Sequence, residues 1–140
     1  MYINDSINWY DISDQKNLSV TFIRQYRDFL FWKNISNNRT LSEAFIREFT
    51  YYVDWYSISY YQTLSEHFIR DFQDKLNWDL ISKYQPLSEP FIREFHHKVN
   101  WFWIPYRLPL STDFIREFHD RVNWLHLERF QGIFYSALCL

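Results

Sequence analysis

One spacing governs this chain: Leu18, Leu41, Leu64, Leu87 and Leu110 each open a segment of the same kind, 23 residues apart. A fixed period in this range marks a repeat architecture, in which each unit is one supersecondary element that cannot cover its own apolar face. The clearest copy runs Leu64-Ser65-Glu66-His67-Phe68-Ile69-Arg70-Asp71-Phe72, then Leu76-Asn77-Trp78, then Ile81-Ser82-Lys83-Tyr84-Gln85-Pro86. Full copies occupy 18–40, 41–63, 64–86, 87–109 and 110–132. Residues 7–17 match only the second half of the unit, and 133–140 form a tail that leaves the pattern. The expectation is a single repeat domain over 1–140, entered in mid-repeat.

Capping chemistry says what a unit builds. Ser65 is an N-cap type, and Leu64 before it and Ile69 after it have the spacing of a hydrophobic staple. Asn77 and the pair Leu76 and Ile81 repeat the device. Phe68, Ile69, Phe72 and Leu76 share one helical face, and Trp78, Ile81 and Tyr84 supply a second stripe. Two capped starts in one unit predict an αα-hairpin with helices of about 11 and 8 residues. Pro86, Pro109 and Gly132 close successive copies. A single hairpin is too small to fold alone, so the units must stack. The fold expected is all-α, an α-solenoid of stacked αα-hairpins.

Trp9, Trp32, Trp55, Trp78, Trp101 and Trp124 hold one position, expected in the core, and only Trp103 falls outside it. At the tyrosine position of the second helix the first two copies carry Gln15 and Asn38, polar types suited to a terminal unit. The tail is expected to cap the other end. Pro105 falls inside a second helix, so Trp101 to Leu108 should be shortened or kinked.

Composition narrows the function. Fifteen basic residues against 17 acidic leave a net charge of −2, without the cationic excess that neutralises a phosphate backbone, so nucleic acid is not expected as a partner. No apolar run approaches the ~20 residues of a membrane span, and the start of the chain lacks the pattern of a secretory signal. The single cysteine, Cys139, can form no internal disulfide, which fits a reducing, intracellular setting.

The candidate sites are few. Arg24, Arg47, Arg70, Arg93 and Arg116 recur with the period. Glu43, Glu66 and Glu89 lie four residues before three of them, and Asp28, Asp74 and Asp120 four residues after Arg24, Arg70 and Arg116. The pattern predicts a structural ladder of intrahelical ion pairs rather than an anion site. His96 and His119 are equivalent, but the other copies place Arg27, Thr50 and Gln73 there, so no metal is expected. No nucleophile, base and orienter recur together, and neither catalysis nor a cofactor is expected.

Aromatic residues outside the core stripe are the better functional signal. Tyr51 lies almost opposite the apolar face of its helix, Tyr52 nearer the flank. Tyr56 and Phe102 occupy equivalent positions that Asp79 also fills, and Trp103 follows Phe102. Tyr and Trp are favoured interface anchors. Tyr51, Tyr56, Phe102 and Trp103 are therefore the expected contact residues, for a protein partner or for a second copy in a self-assembling structure.

The string Leu-Ser-Glu-x-Phe-Ile-Arg-Glu-Phe ending in Val-Asn-Trp-x-x-Ile, present at 87–104 and nearly so at 41–58, resembles short repeats encoded in many copies by large DNA viruses of amoebae, such as relatives of Marseillevirus and Pithovirus. The likeness covers residues 7–132. It implies interaction modules of unknown ligand, sometimes carried with an F-box that docks a ubiquitin ligase. It also implies a place in the host-cell cytoplasm or the virion rather than secretion.

Overall fold

The computed structural model describes residues 6–138, leaving Cys139 and the last residue of the tail outside the described part. Among the described residues the chain is all-α, with no strand. The helices are α1 (Trp9–Asp14), α2 (Val20–Tyr26), α3 (Trp32–Asn37), α4 (Glu43–Glu48), α5 (Trp55–Tyr61), α6 (Glu66–Asp71), α7 (Trp78–Tyr84), α8 (Glu89–Glu94), α9 (Ile104–Arg107), α10 (Thr112–Glu117) and α11 (Trp124–His126). α11 runs into a π-helix over Leu127–Gln131, and a 3-10 turn spans Tyr135–Leu138. Among the described residues no helix is long and apolar enough to cross a membrane.

The caps start the helices where local chemistry demands. Ser19, Ser42, Ser65, Ser88 and Ser111 each accept from the backbone N–H three residues on, at 3.1–3.3 Å. Asn8, Asp54, Asn77 and Asn123 do the same for second helices. α3 and α9 are the exceptions, since Phe31 and Trp103 stand at their caps and make no side-chain cap bond.

First helices are six or seven residues long, not 11. The backbone leaves the helical region at Phe49, Phe72, Phe95 and Phe118, with φ between −103° and −114° and ψ of 22° to 31°. A hydrogen-bonded turn follows, in which Phe72 O accepts from Lys75 N and Leu76 N. This bend returns Leu76 to the interior, and Leu30, Val53, Val99 and Val122 are buried at the same position. In the copy with Pro105 the second helix shrinks to four residues, α9, with the proline in its first turn, where a missing N–H is tolerated.

Contacts divide the chain into two compact units, Met1–Leu64 and Ser65–Leu140. In the first, α1 packs on α3 and α3 on α5; in the second, α7 packs on α9 and α9 on the π-helix. The core of both is built from the same two isoleucine positions. Ile23, Ile46, Ile69, Ile92 and Ile115 fill the first helix, and Ile35, Ile58, Ile81 and Ile104 the second, all fully buried, with Leu127 in the last copy.

The tryptophans, expected in the core, are instead half-buried. Trp32, Trp55, Trp78, Trp101 and Trp124 each donate the indole N–H to the carbonyl five residues earlier, at 2.8–3.2 Å. Keeping that bond holds the ring at the edge, where its face lies against phenylalanines of the following copy: Trp78 on Phe91 and Phe95, Trp101 on Phe114 and Phe118.

Polar side chains join one copy to the next. Ser13 Oγ donates to Trp9 O and accepts from Phe31 N; Ser82 Oγ donates to Trp78 O and accepts from Asn100 N. Ser36 Oγ accepts from Asp54 N. Pro105 stands at the same position and removes the hydroxyl there. In the second unit the tail lies on the last copy, with Tyr135 edge-on to Trp124 at 4.8 Å and Leu138 buried.

Candidate interaction surface

The five periodic arginines lie on first helices, and their partners are more distant than sequence spacing suggests. Arg24 meets Glu48 at 2.5 and 3.0 Å, Arg70 meets Glu94, and Arg93 meets Glu117, each carboxylate belonging to the next copy. Of the expected pairs four residues apart, Glu89 and Arg93 meet at 3.8 Å. Glu66 and Glu89 also accept from the Ser88 and Ser111 amides of the following copies. Asp74 falls in the turn after α6 rather than on the helix, and it pairs with Lys98. At Arg24, Arg70 and Arg93 the ladder thus runs between copies, while Arg116 pairs within its own helix with Asp113 at 3.3 Å. Its bond to Glu48 raises the Arg24 pKa, and the same bond holds the Glu48 carboxyl below its ordinary value. Arg93 is raised likewise by Glu117. These pairs are exposed and each contributes little.

The histidine position has a structural explanation. His96 Nδ1 donates to Arg93 O at 2.9 Å and His119 Nδ1 to Arg116 O at 3.0 Å, closing the last turn of each helix. Arg27 and Gln73 donate to Arg24 O and Arg70 O from the same place. Arg, Gln and His thus all supply a helix-end donor from this place, whereas the Thr50 hydroxyl is buried there without a partner among the described residues. No cluster of three or more metal-ligating side chains exists among the described residues.

Each unit exposes aromatic side chains, including Tyr10 and Phe31, edge-on at 5.4 Å in the first. In the first, Tyr51 is 92% exposed and Tyr56 59%, and Tyr60 and Tyr61 are also exposed, their rings 4.5 Å apart. Tyr52 is tied down instead, its hydroxyl donating to Asp28 at 2.8 Å and accepting from Arg27 Nε at 3.1 Å.

In the second unit Phe102, 48% exposed, meets Trp103 edge-on at 4.8 Å. Trp103 is half-buried, with the Lys83 ammonium 4.3 Å above its ring. Sequence reasoning missed three further members. His126 packs against Phe102 at 4.5 Å, Tyr106 against Phe130 at 4.7 Å, and His126 against Phe130 at 5.5 Å. The signal was available: 102 and 106, like 126 and 130, are four apart, and 126 is one unit beyond Trp103. His126 Nδ1 donates to Phe102 O at 2.8 Å, which fixes the ring in the cluster.

No family model, curated protein or solved structure matches this chain. The functional reading therefore rests on its own residues.

Proposed function

We propose that this chain is a non-enzymatic interaction scaffold, an α-solenoid of stacked αα-hairpins over 1–140, that presents exposed aromatic side chains to a protein partner. The observation that carries this reading is an aromatic surface at positions that do not need to be aromatic. The place of Tyr56 and Phe102 is taken by Lys33 and Asp79 in other copies, so stacking tolerates charge there. Exposed rings at such a position bury large area on contact at little entropic cost. We read the unit as related to the repeats of amoeba-infecting DNA viruses, with a place in the host cytoplasm or the virion.

The test pairs stability with association. Tyr51→Ser with Tyr56→Ser, and separately Phe102→Ser with Tyr106→Ser, should leave the melting temperature nearly unchanged. Crosslinking to a protein partner should weaken in the same variants. A large fall in melting temperature would make these rings part of the core and end the proposal. A monomer–dimer equilibrium in light scattering, lost in the variants, would assign the surface to a second copy instead.

A further inference from the structure

The last side chain that faces back along the repeat is glutamine in three copies: Gln62, Gln85 and Gln131. At Gln62 the amide works in both directions. Its Oε1 accepts from Leu41 N–H at 2.8 Å, and its Nε2 donates to Ser36 O at 3.0 Å and Arg39 O at 2.9 Å. Gln131 repeats the arrangement, with Leu110 N–H on Oε1 and Pro105 O and Leu108 O on Nε2. Only an amide supplies donor and acceptor from one side chain in this way.

In the copy 18–40 this position is Arg39, and a guanidinium only donates. Its Nη2 reproduces the donor half, reaching Gln15 O at 2.5 Å and Ser13 O at 3.3 Å. The acceptor half is missing. The Leu18 N–H, counterpart of the Leu41 and Leu110 N–H groups, meets no acceptor among the described residues, and Arg39 Nε and Nη1 are themselves buried without one. Leu108, which holds the position in 87–109, brings no donor, whereas Lys16 holds it in the partial copy 7–17 and, like Arg39, only donates.

Two adjoining cavities of the first unit surround this residue, of about 480 and 320 Å³. Both are lined by Lys16, Arg39 and Thr40, and among the described residues neither is lined by an Asp or Glu. The smaller adds an apolar wall that includes Leu18, Val20, Leu41 and Phe45. Among the described residues Lys16 and Arg39 make no ion pair, while Asp14, the acid nearest Lys16 in sequence, is engaged by Asn38 Nδ2. A partly enclosed cation without a counter-charge is costly unless something answers it.

We propose that this cavity binds a carboxylate carrying an apolar group. The carboxylate takes the place of the absent glutamine carbonyl, accepting from Leu18 N–H and pairing with Lys16 and Arg39. The apolar group lies on the wall of Leu18, Val20, Leu41 and Phe45. Arg39 Nε and Nη1 are closed to solvent, so they meet the ligand by a side-chain rotation for which the larger cavity has room. A peptide C-terminus ending in an apolar residue and a free aliphatic acid share this chemistry.

The experiment titrates the ¹⁵N-labelled full chain with N-acetyl-Ala-Leu, its C-terminal amide, hexanoate and inorganic phosphate, following the Leu18 amide. Saturable shifts with either carboxylate are expected. Tighter binding of the peptide acid assigns a peptide C-terminus, and tighter binding of hexanoate a free acid. Arg39→Gln restores the residue of the other copies, so it should fold and bind about tenfold or more weakly, the scale of a charge-assisted bond. Lys16→Gln should weaken binding less. The proposal is overturned if no shift saturates, if the peptide amide binds as well as the acid, or if Arg39→Gln binds as tightly as the native chain. Phosphate giving the same shift at the same concentration would mean an adventitious ion only, and would overturn it too.

Discussion

The Ser82 hydroxyl oxygen lies 2.8 Å from the backbone nitrogen of Asn100, 18 residues away, while its own proton reaches Trp78 O at 2.7 Å. One small side chain thus ties a second helix to the start of the next. Its sequence neighbours give no hint of this role, because Ser inside a helix is usually read as neutral.

Ser82→Ala should therefore cost about 1–3 kcal/mol, the penalty of leaving a buried N–H without its acceptor. Ser36→Ala should behave alike in the first unit, where Ser36 accepts from Asp54 N. Urea denaturation measures both. A loss within experimental error would mean that water replaces the hydroxyl at no cost.

Core truncations should follow burial rather than residue size. Phe91 is fully buried and Trp78 only half-buried, so Phe91→Ala should cost about 3–5 kcal/mol and Trp78→Ala clearly less. The reverse order in denaturation midpoints would show that the indole bond to Gln73 O and the contact with Phe95 outweigh the lost core volume.

Gln62→Leu removes three hydrogen bonds from a site that is almost wholly enclosed. It should destabilise the chain by about 2–3 kcal/mol, although Leu108 occupies the same position elsewhere. Amide exchange should quicken at Leu41 in particular. Unchanged protection at Leu41 would refute the assigned role of the glutamine carbonyl.

The Arg24 and Glu48 pair predicts a sign in acid. Because Glu48 has a lowered pKa in the folded chain, its contribution is present above the ordinary glutamate pKa and is lost as pH falls through the lowered value. Glu48→Gln should flatten that part of the stability profile, by a small amount because the pair is exposed, and added salt should mimic it. A steeper acid limb in the variant would contradict the assignment.

What was readable in the sequence is what depends on neighbours along the chain. The serine caps act over three residues, and the paired isoleucines declare buried faces through the helical period alone, so both were legible. The tryptophans misled because size and periodicity say core, while the indole N–H needs a carbonyl that lies at the edge. The arginine partners were hidden for a similar reason: Glu48, Glu94 and Glu117 come within reach only when successive copies are set side by side. Arg39 was visible as a departure from glutamine, yet a missing acceptor has meaning only once Gln62 shows what the amide does. In the aromatic cluster, His126 looked isolated because register between copies, not proximity in sequence, joins it to Phe102.

The bonds between copies recur at constant offsets, as from Arg70 to Glu94 and from Arg93 to Glu117. Duplicating or deleting one whole internal 23-residue unit would leave each of these arginines with an acid at the same offset, since Glu48, Asp71, Glu94 and Glu117 recur with the period. An insertion of any other length would misalign all of them at that junction. This chain can therefore lengthen or shorten by recombination in whole modules, its surface varying from module to module while the joints that hold it stay the same.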